Sequence, residues 1–274
     1  MPELPEAETI ARDLHARTAG ARVAGVTISK RDILAPGTSP ARLSRVLEGR
    51  TLQRVGRRGK NLVLEFDDEV RLVVNLGMTG RVVTSDSPRA ADLSHVAARL
   101  HLVDGRALLY DDARRFGRLD LRDARAWATR DAELGIEPLS DAFTADRMFR
   151  ITRHTIVPIR NLLLDQQRIA GVGNIYANEA LFRAAIRPTR RSRRITRKEA
   201  ALLCTALRDV LTESIEARGT TFSDYRDGNG EEGAFEAQLR VYGREGMPCI
   251  ICGTPIKRVV LTNRSAFYCP VCQH

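Results

Sequence analysis

The sequence predicts an α+β protein of two domains, and three observations support this prediction. The chain has 274 residues, whereas single domains usually contain about 100–200. Short runs of alternating apolar residues fill the first half, and helical periodicity dominates from about Ala124 onward. Four of the five cysteines lie in the last 26 residues as two closely spaced pairs.

Composition and charge narrow the class of protein. Hydrophobic residues make up 43% and charged residues 28% of the chain, as in soluble globular proteins and unlike disordered ones. No run of 18 apolar residues is present, and MPELPEAET lacks the basic and apolar regions of a secretory signal. We therefore expect a cytoplasmic protein. The 44 Lys and Arg exceed the 34 Asp and Glu, and the net charge of +10 favours a polyanionic partner.

The N-terminal part predicts one helix followed by many short strands. After Pro5, apolar residues recur with the i, i+3, i+4, i+7 spacing of a helix at Ala7, Ile10, Ala11 and Leu14. Alternating apolar residues predict strands within 23–28, 62–66, 71–76, 98–103, 106–111 and 116–121. Short strands joined by Gly- and Asp-containing turns are typical of a sandwich or a barrel.

The second half predicts helices. Helices over 161–167 and 174–186 enclose a turn that contains Gly171 and Gly173. Such a turn allows close backbone approach, and the N-terminus of the second helix can hold a phosphate. The alternative is an ordinary interhelical turn.

A further helix is predicted after a strongly basic stretch. Thr196-x-x-Glu199 is a capping box, and the helix that it begins should end before Gly219. The preceding stretch, IRPTRRSRRITRK over 186–198, holds seven basic residues and no acid. It is consistent either with a flexible, solvated loop or with nucleic-acid contact.

The C-terminal cysteines have the spacing of a zinc site. They read Cys249-x2-Cys252-x16-Cys269-x2-Cys272, and two C-x2-C pairs about 15–20 residues apart are typical of four-sulfur zinc sites. Disulfides are not expected in an intracellular chain, so the alternatives are a redox dithiol and two accidental cysteine pairs. We predict one structural zinc bound by these four thiolates. Cys204 lies in an apolar helical stretch and is interpreted as a core residue.

The first residues can support covalent chemistry. Removal of Met1 would expose the secondary amine of Pro2. An α-amino group has a pKa of about 8, so a fraction of the Pro2 amines would be unprotonated at neutral pH. Such an amine attacks an electrophilic carbon and forms an iminium. Glu3, Glu6 and Glu8 follow closely, although acids in a first helical turn also complement the helix dipole.

A family resemblance gives these residues a context. MPELPEAET, GRRGKNL, NLGMTG, DDARRFG, GVGNIYANEALF, GTTF and the four-cysteine segment occur in this order along essentially the whole chain. Together they closely resemble the bacterial formamidopyrimidine-DNA glycosylases, the Fpg/MutM branch of the Fpg/Nei family. The Nei branch usually starts PEGPE, so Leu4 favours the Fpg branch.

The resemblance implies a fold and a function. It implies an N-terminal β-sandwich with a helix (1–135), a helix-two-turn-helix domain (136–235) and a four-cysteine zinc-ribbon finger (236–274). The implied function is a bifunctional DNA glycosylase and AP lyase that removes 8-oxoguanine and formamidopyrimidines from duplex DNA. The protein is expected to act as a monomer with one structural Zn²⁺.

The resemblance also implies roles for individual residues. Pro2 matches the nucleophile, Glu3 the acid that assists ring opening and proton transfer, and Glu6 a second active-site acid. Lys60 matches a lysine beside the lesion phosphate. The residues implied in DNA binding are Met78, Arg114 and Phe116, which fill the space left by the everted base, together with Arg115, Asn174 and Arg264. Without the resemblance, Met78 and Phe116 would be interpreted as core residues at strand ends.

Three departures from the family pattern concern DNA contacts. Ala113 stands where DPRRFG has proline, and Asn75 stands where a histidine commonly precedes LGM. The loop 221–225 reads TFSDY where TTLKDF is common, which affects the lesion preference. Alternatives are a Nei-like preference for oxidised pyrimidines, a non-catalytic DNA-binding zinc protein, and an RNA-associated zinc protein.

Overall fold

The computed structural model describes residues 2–88, 90–220 and 232–274. The chain divides into two compact units. The first unit combines Met1–Ala132 with Ala217–Glu236, and the second unit combines Glu133–Glu216 with Ala237–His274. The sequence predicted three parts, with boundaries at residues 135 and 235, and this finer division stays a prediction. It did not predict that Ala217–Glu236 would return to the first unit.

The first unit is an antiparallel β-sandwich with helices. Its described helices are α1 (Leu4–Thr18), α2 (Pro40–Leu47) and α3 (Ala124–Ala132). Its described strands are β1 (Val23–Ile28), β2 (Leu52–Arg58), β3 (Asn61–Phe66), β4 (Arg71–Asn75), β5 (Arg81–Thr84), β6 (Val96–Leu102), β7 (Ala107–Asp111) and β8 (Arg118–Arg122). They form two sheets with the strand orders β1-β6-β7-β5 and β2-β3-β4-β8.

One apolar core lies between these two sheets. Leu64 of β3 and Leu100 of β6 belong to the same buried cluster, which Ile10 and Leu14 of α1 join. The alternation that predicted β3 therefore reflects residues that point into a sandwich core. The predicted sandwich is confirmed, and the barrel alternative is wrong because the strands form two separate sheets.

The second unit contains the predicted helices and the C-terminal hairpin. Its described elements are α4 (Ala145–Arg153), α5 (Ile159–Leu164), α6 (Asn174–Arg183), α7 (Arg197–Glu216), β9 (Lys257–Leu261) and β10 (Arg264–Tyr268). The capping box of α7 is present, because the Glu199 N–H donates to Thr196 Oγ1 at 3.2 Å and the Thr196 N–H donates to Glu199 Oε2 at 2.8 Å. No described helix has the length and apolar character needed to span a membrane.

Candidate functional site

Two buried carboxyl groups lie at the start of α1. Glu3, 3% exposed, precedes the helix, and Glu6, 2% exposed, lies in its first turn. The Glu3 side chain accepts the Glu6 N–H, and the Glu3 N–H donates to Glu6 Oε2 at 2.8 Å. Glu6 Oε1 accepts the Thr220 N–H at 2.9 Å. Glu6 thus holds the backbone next to Pro2, which is also buried.

The turn between β2 and β3 carries Lys60 and is tied to α1. Gly59 adopts φ +58°, a left-handed conformation that favours glycine. Arg57 donates to the Gly59 carbonyl at 2.9 Å and to Glu8 of α1 at 3.0 Å. Burial raises the pKa of Glu8, but ion pairs with Arg57 and Arg12 outweigh it and hold this pKa below its ordinary value. The Glu8–Arg57 pair therefore fixes the Lys60 turn against α1.

Asn75 connects the Lys60 turn with the loop that carries Met78. Its Nδ2 donates to Asn61 Oδ1 at 2.9 Å, and its Oδ1 accepts the Gly77 N–H at 3.0 Å. Both ends of the amide are therefore used within the protein. The residue that departs from the family pattern bridges two loops of the first unit.

Met78 and Phe116 lie in two exposed loops, which we call the paired loops (residues 76–80 and 113–117). Met78 is 43% and Phe116 is 53% exposed, so neither is a core residue. The Arg114 guanidinium lies 4.6 Å from the Phe116 ring centroid, within cation–π range. Phe116 precedes β8, which begins at Arg118, and the strand predicted from 116 starts two residues too early.

The buried carboxylate of Asp112 joins the paired loops. It is 1% exposed and accepts hydrogen bonds from Thr79 Oγ1 at 2.6 Å, the Gly117 N–H at 2.9 Å and the Tyr110 hydroxyl at 2.9 Å. Burial raises the pKa of Asp112, but these donors outweigh it and keep this pKa below its ordinary value. The Thr79 hydroxyl also accepts the Arg114 N–H at 3.2 Å. One side-chain network therefore spans both loops.

The paired loops also meet at two glycines. A Cβ on Gly77 would lie 2.6 Å from the Gly117 nitrogen, and one on Gly117 would lie 1.8 Å from the Tyr110 hydroxyl oxygen. Only glycine fits at these positions. Ala113 lacks the proline ring that would restrict its loop, but the Asp112 hydrogen bonds and the glycine contact hold that loop in place.

Arg115, a predicted DNA-binding residue, has an acidic partner in its own unit. It adopts φ +54° and pairs with Asp32 at 2.9 Å. Both side chains are about half exposed, and surface ion pairs of this kind contribute about 0–1 kcal/mol. Release of Arg115 from Asp32, so that it could contact a phosphate, would therefore cost little free energy.

In the second unit, the turn between α5 and α6 leads into Asn174. Gln166 Oε1 accepts the Gly171 N–H at 2.9 Å and orders the turn, and Gly171 has φ +86°. The Asn174 amide donates to the Ser265 carbonyl at 2.9 Å and accepts from Arg160 at 2.8 Å. Asn174, at the first position of α6, is therefore connected to the hairpin β9–β10.

Arg160 and Asn161 connect α5 to the same hairpin. Arg160, 1% exposed, donates to the Leu261 and Ser265 carbonyls at 3.1 and 3.2 Å. Asn161 donates to Thr262 Oγ1 at 2.7 Å in the turn between β9 and β10. The exposed Arg264 follows this turn as the first residue of β10. The structure thus connects the elements that carry Asn174 and Arg264.

The four C-terminal cysteines form one cluster. Their Sγ atoms all lie within 4.8 Å of one another, with Cys249–Cys272 at 3.9 Å and Cys252–Cys269 at 3.5 Å. Tetrahedral zinc with Zn–S bonds of about 2.3 Å places its sulfurs about 3.8 Å apart, so the donor set fits Zn²⁺. Gln273 accepts the Cys269 N–H at 2.9 Å and donates to the Ile186 carbonyl at 2.8 Å.

Sequence reasoning missed three buried charged residues that organise these elements: Asp112, Arg160 and Glu179. Glu179 is fully buried in α6 and accepts the N–H groups of Arg240, Val241 and Tyr242 at 3.0, 2.9 and 2.9 Å. The available signal was a charged side chain inside an otherwise apolar stretch, such as Glu179 in IYANEALF.

Three family models match successive parts of the chain. Residues 1–119 match the formamidopyrimidine-DNA glycosylase N-terminal domain, and residues 134–226 match the H2TH domain of the same glycosylase. Residues 246–274 match the zinc finger found in FPG and IleRS. The chain belongs to the formamidopyrimidine-DNA glycosylase family. It is therefore a DNA repair glycosylase of a family with AP lyase activity, and it carries one structural zinc.

Relatives of this family match along the whole chain. The formamidopyrimidine-DNA glycosylase of Thioalkalivibrio sulfidiphilus is 45% identical, with 100% of both chains covered. The MutM (Fpg) structure from Thermus thermophilus is 42% identical with a TM-score of 0.86, covering 99% of this chain and 98% of that chain. Fpg of Lactococcus lactis bound to abasic-site DNA is 29% identical with a TM-score of 0.88, covering 99% of each chain.

Proposed function

We propose that this glycosylase removes 8-oxoguanine and formamidopyrimidines from duplex DNA and then cuts the strand by β,δ-elimination. The observation that carries the proposal is the buried arrangement in which Glu6 holds Glu3 next to Pro2. The names of the relatives and a Lactococcus lactis complex with DNA that contains Fapy-dG support the substrate class. The protein would act as a monomer in the bacterial cytoplasm.

The proposed reaction begins at Pro2. With Met1 removed, its secondary amine attacks C1′ of the damaged nucleotide. The bond between C1′ and the base breaks, the base leaves with a proton, and Glu3 transfers protons as the sugar ring opens. The resulting iminium acidifies C2′, so loss of the C2′ proton expels the 3′ phosphate, and a second elimination expels the 5′ phosphate. Zinc takes no part in these steps, because a closed four-cysteine site is structural.

The remaining predicted residues would bind and distort the DNA. Lys60 would contact the phosphate beside the lesion, and Asn174 and Arg264 would contact phosphates from the second unit. Met78 and Phe116 would fill the space that the everted base leaves, while Arg114 would face the orphaned partner base. The loop 221–225, which bears on the lesion preference, lies outside the described residues.

Borohydride trapping on an 8-oxoguanine duplex tests the proposal directly. We expect one covalent protein–DNA product whose cross-linked peptide maps to Pro2, because borohydride reduces the iminium. A cross-link at Lys60 would contradict the nucleophile assignment. Faster release of thymine glycol than of 8-oxoguanine would favour the Nei-like alternative. Binding of abasic duplex without nicking would favour a non-catalytic protein, and a preference for RNA would favour the RNA-associated one.

Truncation of Met78 or Phe116 to alanine should slow excision of a paired lesion without lowering the melting temperature. Both side chains are exposed, and eversion of a paired base costs a few kcal/mol. We expect a loss of about tenfold or more, or about 1.4 kcal/mol, on 8-oxoguanine duplex and much less on abasic duplex. Val103→Ala is the matched control, since Val103 is 65% exposed. Equal losses on both substrates would refute the void-filling role.

Removal of the Thr79 hydroxyl tests whether the network of the paired loops positions Arg114. We expect Thr79→Val to slow excision of a paired lesion and to weaken discrimination by the opposite base, since it breaks the bonds to Asp112 and Arg114. Thr79→Ser keeps the hydroxyl and should restore both properties. If Thr79→Val changes only the melting temperature, the network is structural and does not position Arg114.

A further inference from the structure

The basic stretch before α7 is an ordered turn in the structure. Residues Ser192–Arg194 form a 3-10 turn, and Ser192 is fully buried. The Ser192 N–H and hydroxyl both donate to the Val157 carbonyl, at 3.0 and 2.7 Å. Ile195 is also fully buried. The stretch is therefore a solvent-exposed loop, as one interpretation predicted, but buried anchors hold its backbone in an ordered turn.

The structure divides five of the seven basic side chains of this stretch into two groups. Arg190 pairs with Glu199 at 2.5 Å, and Arg197 pairs with Asp146 at 3.0 Å. Three arginines on the ordered turn are exposed and make no ion pair with a described residue. These three residues, which we call the arginine turn, are Arg191, Arg193 and Arg194.

Helix α4 extends the positive surface next to the arginine turn. Arg153 of α4 donates to the Ile195 carbonyl. The guanidinium carbons of Arg153 and Arg197 each lie 4.4 Å from the Phe149 ring centroid. The acids in α4 and the stretch 186–199 are Asp146 and Glu199, and both already pair with arginines. Neither of these two segments therefore offers a further acid to neutralise the arginine turn.

The arginine turn and the Arg264 hairpin border the same short helix. Arg191 forms an antiparallel bridge with Pro158, the residue before α5. Asn161 of α5 holds Thr262 in the turn that precedes Arg264. Helix α5 has six residues, which span about 9 Å. The arginine turn and the turn before the exposed Arg264 therefore both adjoin α5.

We propose that the arginine turn binds phosphates of duplex DNA that lie beyond the stretch contacted by Asn174 and Arg264. Guanidinium groups bind phosphate in a bidentate manner, and a rigid turn presents them with little loss of conformational entropy. Binding would release condensed counterions and extend the footprint of the protein on DNA. The inference rests on the proposed function only in that duplex DNA is the ligand.

The test compares two triple variants that remove the same charge. The first is Arg191→Gln/Arg193→Gln/Arg194→Gln. The control is Arg31→Gln/Arg45→Gln/Arg125→Gln, which replaces three exposed arginines of the first unit that make no ion pair with a described residue. Affinity is measured against salt on duplexes of about 10 and about 30 base pairs, roughly 34 and 102 Å long, each with a central abasic site.

We expect the first variant to reduce the slope of log K against log[salt] by about 2–3 on the long duplex, at about 0.9 per lost phosphate contact. The control should change the slope much less, and the short duplex should show no difference between the two variants. A slope change no larger than that of the control, an equal change on both duplexes, or a larger effect on single-stranded RNA would overturn the proposal. Borohydride trapping by the unaltered protein, run in parallel, reports separately on the proposed function.

Discussion

Replacement of Glu3 by glutamine is expected to abolish base excision and to leave the fold and lesion binding intact. Glutamine preserves the shape of the side chain, and its oxygen can still accept the Glu6 N–H in the capping box. It cannot transfer a proton, and general acid–base catalysis typically contributes about 10²–10⁴-fold. Single-turnover excision of 8-oxoguanine should therefore fall by at least about 100-fold, while the Kd for lesion duplex stays unchanged.

Glu6→Gln tests the support of Glu3, because Glu6 uses both carboxylate oxygens to accept backbone N–H groups, from Glu3 and from Thr220. An amide accepts through one atom only and turns a donor toward the other N–H. We expect this variant to lose about 1–3 kcal/mol of stability, which a lower melting temperature reports. Full excision by Glu3→Gln would place the acid elsewhere. A fall in melting temperature of Glu3→Gln that matches its loss of excision would make Glu3 a helix cap only.

Elements with strong periodicity could be predicted from the sequence, and weakly patterned ones could not. α1, α7 and β3 carry apolar stripes that face a core, so their periods are visible in the sequence. Strand β2 was missed because LQRVGRR contains few apolar residues, with Gln53 and Arg54 exposed. Strand β5 was missed because four residues are too few to establish a period.

The predicted site residues came from local motifs, whereas the residues that hold them have distant partners. Asp112 bonds to Thr79 across 33 residues, and Arg160 bonds to Ser265 across 105. Such pairs are created by tertiary folding, and no local spacing predicts them. The exposure of Met78 and Phe116 was likewise not predictable from their neighbours, because apolar residues at strand ends usually enter the core. The motif resemblance placed them in DNA binding, and that role stays a prediction.

Loss of one zinc ligand is expected to abolish DNA binding as well as base excision. The apolar cluster of the finger is small and includes Val241 and Ile256 together with Phe182 of α6. Structural zinc contributes about 10–16 kcal/mol of apparent binding energy to small domains, so the hairpin that presents Arg264 should lose its structure in Cys249→Ser. Elemental analysis should find one zinc per chain in the unaltered protein and much less in the variant, with duplex affinity lost in parallel.

Cys204→Ser is the matched control, because it removes a buried thiol outside the cluster. Cys204 lies in α7 and donates to the Phe143 carbonyl at 3.5 Å, a contact that a serine hydroxyl can also make. This variant should keep one zinc and normal duplex affinity, so a defect confined to Cys249→Ser assigns the loss to the metal. If zinc-free Cys249→Ser bound duplex DNA normally, the finger would fold without metal. The contacts of Gln273 with Ile186 and of Glu179 with residues 240–242 would then suffice to position Arg264.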